Sequence, residues 1–425
     1  MAVEEGKVLK IAKEPNLPRS SEKMDLKGKL LLPGLIDIHV HLRDQQLSYK
    51  EDFLSGTSAA AAGGVTLVAD MPNNRPVTMD AESLRERMTL AENRIVVNVA
   101  FYSAFPKKLE EIRAIASNGA VAFKLYLSQR VGGLDIEDDD SLVNALKETD
   151  KQKIPVAVHA EDLGMLESTK KEMLGSIREN VEAYLKVHSP EAETKAVQRV
   201  IQLAKRSNAS VHFCHVSSAS ALEALSTART NGISFTCEVT PHHLFLSSKD
   251  FDRYGTIALT DPPLRSKSDV ESLWNAIRAG FIDAVASDHA PHTMEEKEAK
   301  SVWNVKAGMV GLETTLPLLF TQLSKGKLTL QDLVRLTSEK PAEILQLKDR
   351  GSIREGYCAD FVIVDSHREY RIDASRFHSK AKYSPFDGWS VRGKPIKTFV
   401  NGQLVMDDGE IVAKPGTGRI IRTGN

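Results

Sequence analysis

The run Asp37-Ile38-His39-Val40-His41-Leu42-Arg43 sets two imidazoles and a guanidinium at alternate positions. Alternate side chains on a strand share a face, so His39, His41 and Arg43 project together while Ile38, Val40 and Leu42 pack on the other side. Two neutral imidazoles on one side can grip one metal ion. An HxH alone is a weak signal, because paired histidines occur on strands of many folds. It gains force from what closes later apolar runs: His159 in IPVAVHAED, His215 in SVHFCHVSS and Asp288 in IDAVASDHAPH. A lone histidine at such a place reads as a hydrogen-bonded structural residue. Four such sites at equivalent positions read as a converging centre.

Lys124 stands inside the apolar run Val121-Ala122-Phe123-Lys124-Leu125-Tyr126. An isolated buried ammonium is costly, so it must pair, neutralise or serve a function. A buried salt bridge is one reading. The other is a carbamate, made by addition of carbon dioxide to the amine, whose two oxygens bridge two metal ions.

These residues need a frame that brings strand ends together. Apolar, β-rich runs fall at 30–42, 65–71, 95–101, 121–127, 154–159, 209–215, 233–239 and 282–286. Segments with helical spacing lie between them at 81–93, 107–117, 141–151, 193–207, 219–230 and 269–279. Gly64, Gly119, Gly232 and Gly280 mark helix exits. Eight strands alternating with helices predict an α/β chain folded as a TIM-type (β/α)8 barrel, whose C-terminal strand ends carry the site. An open doubly wound sheet is the alternative, and the count of eight favours closure. From about Gly351 the chain turns rich in turns and short strands. Residues 1–32 plus 351–425 are therefore expected to form a small β-sandwich-like domain, with residues 33–350 as the catalytic barrel between its halves.

Composition narrows the function. Lysine and arginine total 56 against 57 acidic residues, a net charge of -1, which argues against a general grip on nucleic acid or an anionic membrane. Cys214, Cys237 and Cys358 are the three cysteines, and their spacing forms neither a disulfide framework nor a zinc knuckle. A reducing cytoplasm suits them. No stretch is apolar enough to cross a bilayer, and the N-terminus has no signal core.

The words PGLIDIHVHLRD, GGVTLVADMPNNRP, FKLYLS, VHAED, VHFCHVSS, CEVTPHHLFLS, DPPLR, ASDHAPHTMEEK and GLETTLPLL occur in that order. In them the chain resembles the amidohydrolase superfamily, and within it the dihydroorotases over nearly the whole length. It is most similar to archaeal dihydroorotases and to the dihydroorotase portion of the animal multifunctional pyrimidine-synthesis protein. The resemblance implies two zinc ions, bridged by a carboxylated Lys124 and a hydroxide. His39 and His41 would hold the more buried ion and His159 and His215 the second. Asp288 would ligate the first ion and act as general acid/base. It also implies that Arg43, Asn73 and His292 hold the ring carboxylate of dihydroorotate, a set suited to that anion. The substrate would be a small molecule, dihydroorotate or N-carbamoyl-L-aspartate, and a homodimer is usual for the family. Allantoinases and hydantoinases resemble the metal ligands but typically lack the arginine and asparagine combination. A non-catalytic amidohydrolase-like scaffold is a further alternative, against which the complete ligand set speaks.

One position departs from the family. Many dihydroorotases have asparagine before PPLR, where this chain has Asp261. Its charge is unfavourable beside an acidic substrate unless it faces away or meets a ring N–H. Cys214 and Glu238 could take an extra metal; the favoured roles are a small buried residue and a carboxylate orienting a ligand. His242 and His243 are left unassigned, and His188, His367 and His378 read as ordinary surface or structural histidines. Gly132 and Gly133, in the loop 128–134 after Lys124, would permit a mobile lid, or simply an ordinary flexible barrel loop.

Overall fold

A computed structural model of the chain describes residues 1–174 and 180–422. Eight parallel strands run in chain order around one sheet: Leu35–Val40, Val65–Asp70, Asn98–Ala104, Ala122–Tyr126, Val156–His159, Val211–Phe213, Thr236–Val239 and Ala284–Val285. A parallel bridge between Val40 and His289 joins the two ends, with His41 N–H donating to the His289 carbonyl at 2.8 Å. This is the expected barrel. Its strands read as nearly unbroken apolar runs because one face fills the interior and the other is covered by helices. Val65–Asp70 is buried at every position.

The helices start where the sequence supplies caps. Asp52 and Asp80 each form a capping box ahead of Phe53–Ala62 and Ala81–Glu92, and Ser266 does so ahead of Lys267–Arg278. Ser189 caps Pro190–Ser207, whose first residue is the proline favoured there, and Asn208 ends it at φ 60°.

The expected run 30–42 divides at Gly34. Leu30–Pro33 belongs to a second, antiparallel sheet, and Leu35–Val40 begins the barrel. A side chain at Gly34 would stand 2.2 Å from Thr66, so only glycine lets the chain pass between the sheets here. The second sheet orders its strands as Glu410–Ile411, Gln403–Asp407, Ser390–Val400, Phe361–Arg371 and Leu30–Pro33. Ala2–Glu4 and Lys7–Lys10 form a separate hairpin. Ile420–Ile421 returns to the barrel, in parallel with Asn98–Ala104. No helix among the described residues is long and apolar enough to cross a membrane.

Candidate active site

The barrel delivers the predicted residues to one cavity of about 560 Å³ at the C-terminal strand ends. His39, His41, Lys124, His159, His215, Asp288, Arg43, Asn73 and His292 all line it. Arg43, His215 and Asp288 have φ of 57°, 36° and 46°, the left-handed region that costs a non-glycine residue roughly 1–3 kcal/mol. Each lies just past a strand end, where a sharp reversal turns the side chain inward.

Asp288 joins the two histidines of the first strand. Its Oδ1 lies 3.1 Å from His41 Nε2 and 3.3 Å from His39 Nε2. Burial acts to raise this carboxyl, but His39 and His41 beside it hold it well below the ordinary carboxylate range. Burial pushes His41 down to about 4, and it drives His215 well below its usual value with help from His159 and His39. Neutral imidazoles with an ionised carboxylate are the state that binds a divalent cation.

Carboxylates outside this ring fix its orientation. His39 Nδ1 donates to Glu238 Oε1 at 2.5 Å, and His159 Nε2 donates to Glu161 Oε2 at 2.7 Å. Glu238 also holds His212 Nε2 at 3.0 Å and the His215 backbone N–H at 3.2 Å. His159 Nδ1 is left facing His215 Nε2 at 3.0 Å. His41 Nδ1 donates to Asn73 Oδ1 at 2.7 Å, which leaves the Asn73 amide N–H groups without a protein partner among the described residues.

This donor set fits metal. His39, His215 and Asp288 offer ligand atoms within 4.8 Å of one another. Lys124 is 1% exposed and donates to Cys214 Sγ at 2.9 Å. That thiol is no counter-charge, since burial pushes it up to about 12. No carboxylate forms an ion pair with Lys124 among the described residues, so the salt-bridge reading fails. The Tyr126 hydroxyl two residues on is also buried, with no hydrogen-bond partner among the described residues.

Arg43 is 7% exposed, yet forms no ion pair among the described residues. Its Nε donates to the Pro291 carbonyl at 3.3 Å and its Nη2 lies 3.1 Å from His292 Nε2. A buried guanidinium without an anion, lining a cavity, is a built receptor for one.

Several residues escaped the sequence reading. His188, taken there as ordinary, lines the cavity, with Nδ1 3.0 Å from Glu161 Oε1 and 3.2 Å from Asp261 Oδ1. The Asp261 charge is thus neither turned away nor left bare: His188 and the Tyr184 hydroxyl, 2.5 Å away, engage it. The HAED spacing could have flagged Glu161; nothing flagged His188, which comes from a helix end. Lys50 and Lys297 were missed because charged side chains outside the strand runs read as solvated. In this structure the paired glycines pack closely against residues 104–107. A side chain at Gly133 would stand 2.3 Å from Lys107 N, and its own N–H donates to Phe105 O at 2.8 Å.

The Amidohydrolase family model matches residues 30–405. The chain is 38% identical to the dihydroorotase of Methanothermobacter thermautotrophicus over 99% of its own length and 93% of that protein. It is also 38% identical to the dihydroorotase of Pyrococcus furiosus, over 100% of its length and 92% of that protein. Among solved structures it resembles an L-hydantoinase from Arthrobacter aurescens at TM-score 0.95 and 33% identity, covering 99% of this chain and 95% of that one. A dihydropyrimidinase from Brevibacillus agri follows at TM-score 0.92 and 27% identity, covering 99% and 94%. With this identity and coverage, the chain belongs to the amidohydrolase family, among its dihydroorotases.

Proposed function

We propose that the enzyme interconverts N-carbamoyl-L-aspartate and (S)-dihydroorotate, opening and closing a six-membered cyclic amide, and that ring closure serves pyrimidine synthesis. The observation that carries the substrate assignment is Arg43, buried in the cavity without an anion and 3.1 Å from His292. A cyclic amide bearing a carboxylate supplies the anionic partner that Arg43 lacks among the described residues, and the Asn73 amide is a third donor.

His39, His41, His159, His215, Asp288 and a carboxylated Lys124 would hold two zinc ions. When bound, these supply Lewis-acid polarisation of the amide carbonyl and a lowered pKa for water at neutral pH. Asp288, ionised beside His39 and His41, accepts the proton of the attacking water and returns it to the departing ring nitrogen. Glu238 and Glu161 keep the imidazoles turned while this happens. Arg43, Asn73 and His292 orient the ring by its carboxylate. Cytoplasmic residence and a homodimer belong to the same reading. The three free, buried cysteines support the first, and family habit supports the second.

The test is an assay of zinc-loaded protein with dihydroorotate and carbamoyl aspartate beside allantoin and hydantoins. Turnover of dihydroorotate, lost in Arg43→Ala while zinc is retained, is the expected result. Turnover of a hydantoin or allantoin instead would overturn the substrate assignment and keep the metal centre. No turnover of any, in protein holding two metals, would favour a scaffold.

A further inference from the structure

The corner that would take the carboxylate contains a lysine that lies outside the stretches carrying the family resemblance. Lys50 is 7% exposed, and its Nζ stands 3.0 Å from His292 Nδ1 and 2.8 Å from Glu296 Oε1. The other Glu296 oxygen lies 3.3 Å from the same Nδ1. Across the ring, His292 Nε2 faces Arg43 Nη2 at 3.1 Å and the Ala307 carbonyl at 3.1 Å. Each ring nitrogen therefore has one neighbour that can only donate and one that can only accept.

A neutral imidazole carries one N–H, so two complete arrangements exist. In the first, Nδ1 accepts from Lys50 and Nε2–H points to the Ala307 carbonyl, leaving Arg43 Nη2 without an acceptor. In the second, Nδ1–H donates to Glu296 and Nε2 accepts from Arg43, which occupies the guanidinium. Burial, with Arg43 and Lys50 nearby, holds His292 far below its usual range, so the ring is neutral. Lys50 is nearer to Nδ1 than Glu296 is, and it also engages the other Glu296 oxygen. The first arrangement is the one this geometry favours.

We infer that Lys50 is a positioning residue for substrate binding: by donating to His292 Nδ1 it fixes the Nε2–H tautomer, which holds the ring on the Ala307 carbonyl and frees the Arg43 fork for the substrate carboxylate. This rests on the dihydroorotase reading above. Without Lys50 the Glu296 carboxylate takes over Nδ1–H, and His292 becomes an acceptor that ties up Arg43. The substrate anion then competes with His292 for the guanidinium.

The experiment compares zinc-loaded wild type with Lys50→Met, Lys50→Arg and the double variant Lys50→Met/Glu296→Gln. Metal content, melting temperature, KM and kcat for dihydroorotate are measured for each. Lys50→Met is expected to raise KM by about tenfold or more, the scale of one hydrogen bond to a charged group, while kcat changes less than about threefold. Lys50→Arg keeps a donor at Nδ1 and retains most of the affinity. The double variant removes the competing acceptor and lowers KM again relative to Lys50→Met. An unchanged KM in Lys50→Met overturns the inference. So does a double variant worse than Lys50→Met, because a merely structural lysine would give losses that add. Wild type that holds two metals but does not process dihydroorotate would instead refute the functional reading, and the inference with it.

Discussion

Glu238 accepts from His39 Nδ1 at 2.5 Å, and this contact decides which nitrogen of the imidazole faces the cavity. Burial opposes the Glu238 charge, but His39 and His212 outweigh it and hold the carboxyl far below its usual range. The carboxylate is therefore ionised and can only accept, so Nδ1 of His39 carries the proton of this contact and Nε2 is the nitrogen turned toward Asp288.

Glu238→Gln should weaken that control. An uncharged amide stabilises the Nδ1–H tautomer less, and its own N–H groups can favour the wrong one. Metal affinity is expected to fall roughly 10- to 100-fold, the usual effect of losing a carboxylate behind a histidine ligand. Competition against a chelator measures it, with circular dichroism to check the fold. Unchanged affinity would mean that His39 is not oriented through Glu238.

The barrel was legible in the sequence because its strands read as largely apolar runs and many of the helices between them are amphipathic and begin at a capping side chain. The candidate ligand histidines and Asp288 were legible because they sit at or just past the ends of those runs. The chain's passage from one sheet to the other at Gly34 was not, because 30–42 is one continuous apolar run and the break comes from the approach of Thr66. Nor was the pairing of His188 with Asp261, residues 73 positions apart that meet only through the placement of a helix after the fifth strand. Lys50 and Lys297 show the same limit. Burial of a charge outside a periodic run is a tertiary fact.

Lys297 is fully buried and donates to three backbone carbonyls, of Leu259 at 2.9 Å, Lys306 at 3.2 Å and Gly308 at 2.9 Å. Lys306, Ala307 and Gly308 border the cavity, and Ala307 also engages His292. Lys297→Met takes the donor from the Lys306 and Gly308 carbonyls, while the Leu259 carbonyl keeps the Gly308 N–H at 2.9 Å, and should cost about 2–4 kcal/mol of stability. Urea unfolding measures the loss, and KM should rise as the wall beside His292 loosens. A stability within about 0.5 kcal/mol of wild type, the range of ordinary surface changes, would refute the role.

Lys124→Met separates stability from metal binding. Without metal or carbon dioxide the wild-type side chain is a buried ammonium facing a thiol, so replacing it by an apolar chain of similar length should raise stability by about 1–3 kcal/mol. The same variant should fail to hold the metal pair. Melting of chelator-treated proteins in carbonate-free buffer tests the first part, and metal analysis after reloading tests the second. A variant that binds two metals like wild type would refute the bridging role of Lys124.

The pair formed by His188 and Asp261 should make stability fall with rising pH. Burial depresses the His188 imidazole, but Asp261 and Glu161 outweigh it and raise it from 6.5 to about 9. The Tyr184 ring stacks on it at 4.3 Å, and Arg265 donates to its carbonyl and lowers its pKa slightly. A folded-state pKa above the unfolded one means that the native protein binds the proton more tightly. The stabilisation is therefore complete below pH 6.5 and is lost as pH rises through about 9. Its upper bound is roughly 3 kcal/mol, from 1.36 kcal/mol per unit. Asp261→Asn removes the larger of the two attractive charges, so the fall in melting temperature between pH 6.5 and 9 should shrink. Melting curves of both proteins across that window measure it. An equal or steeper fall in Asp261→Asn would show that the Asp261 charge is not what holds the proton on His188.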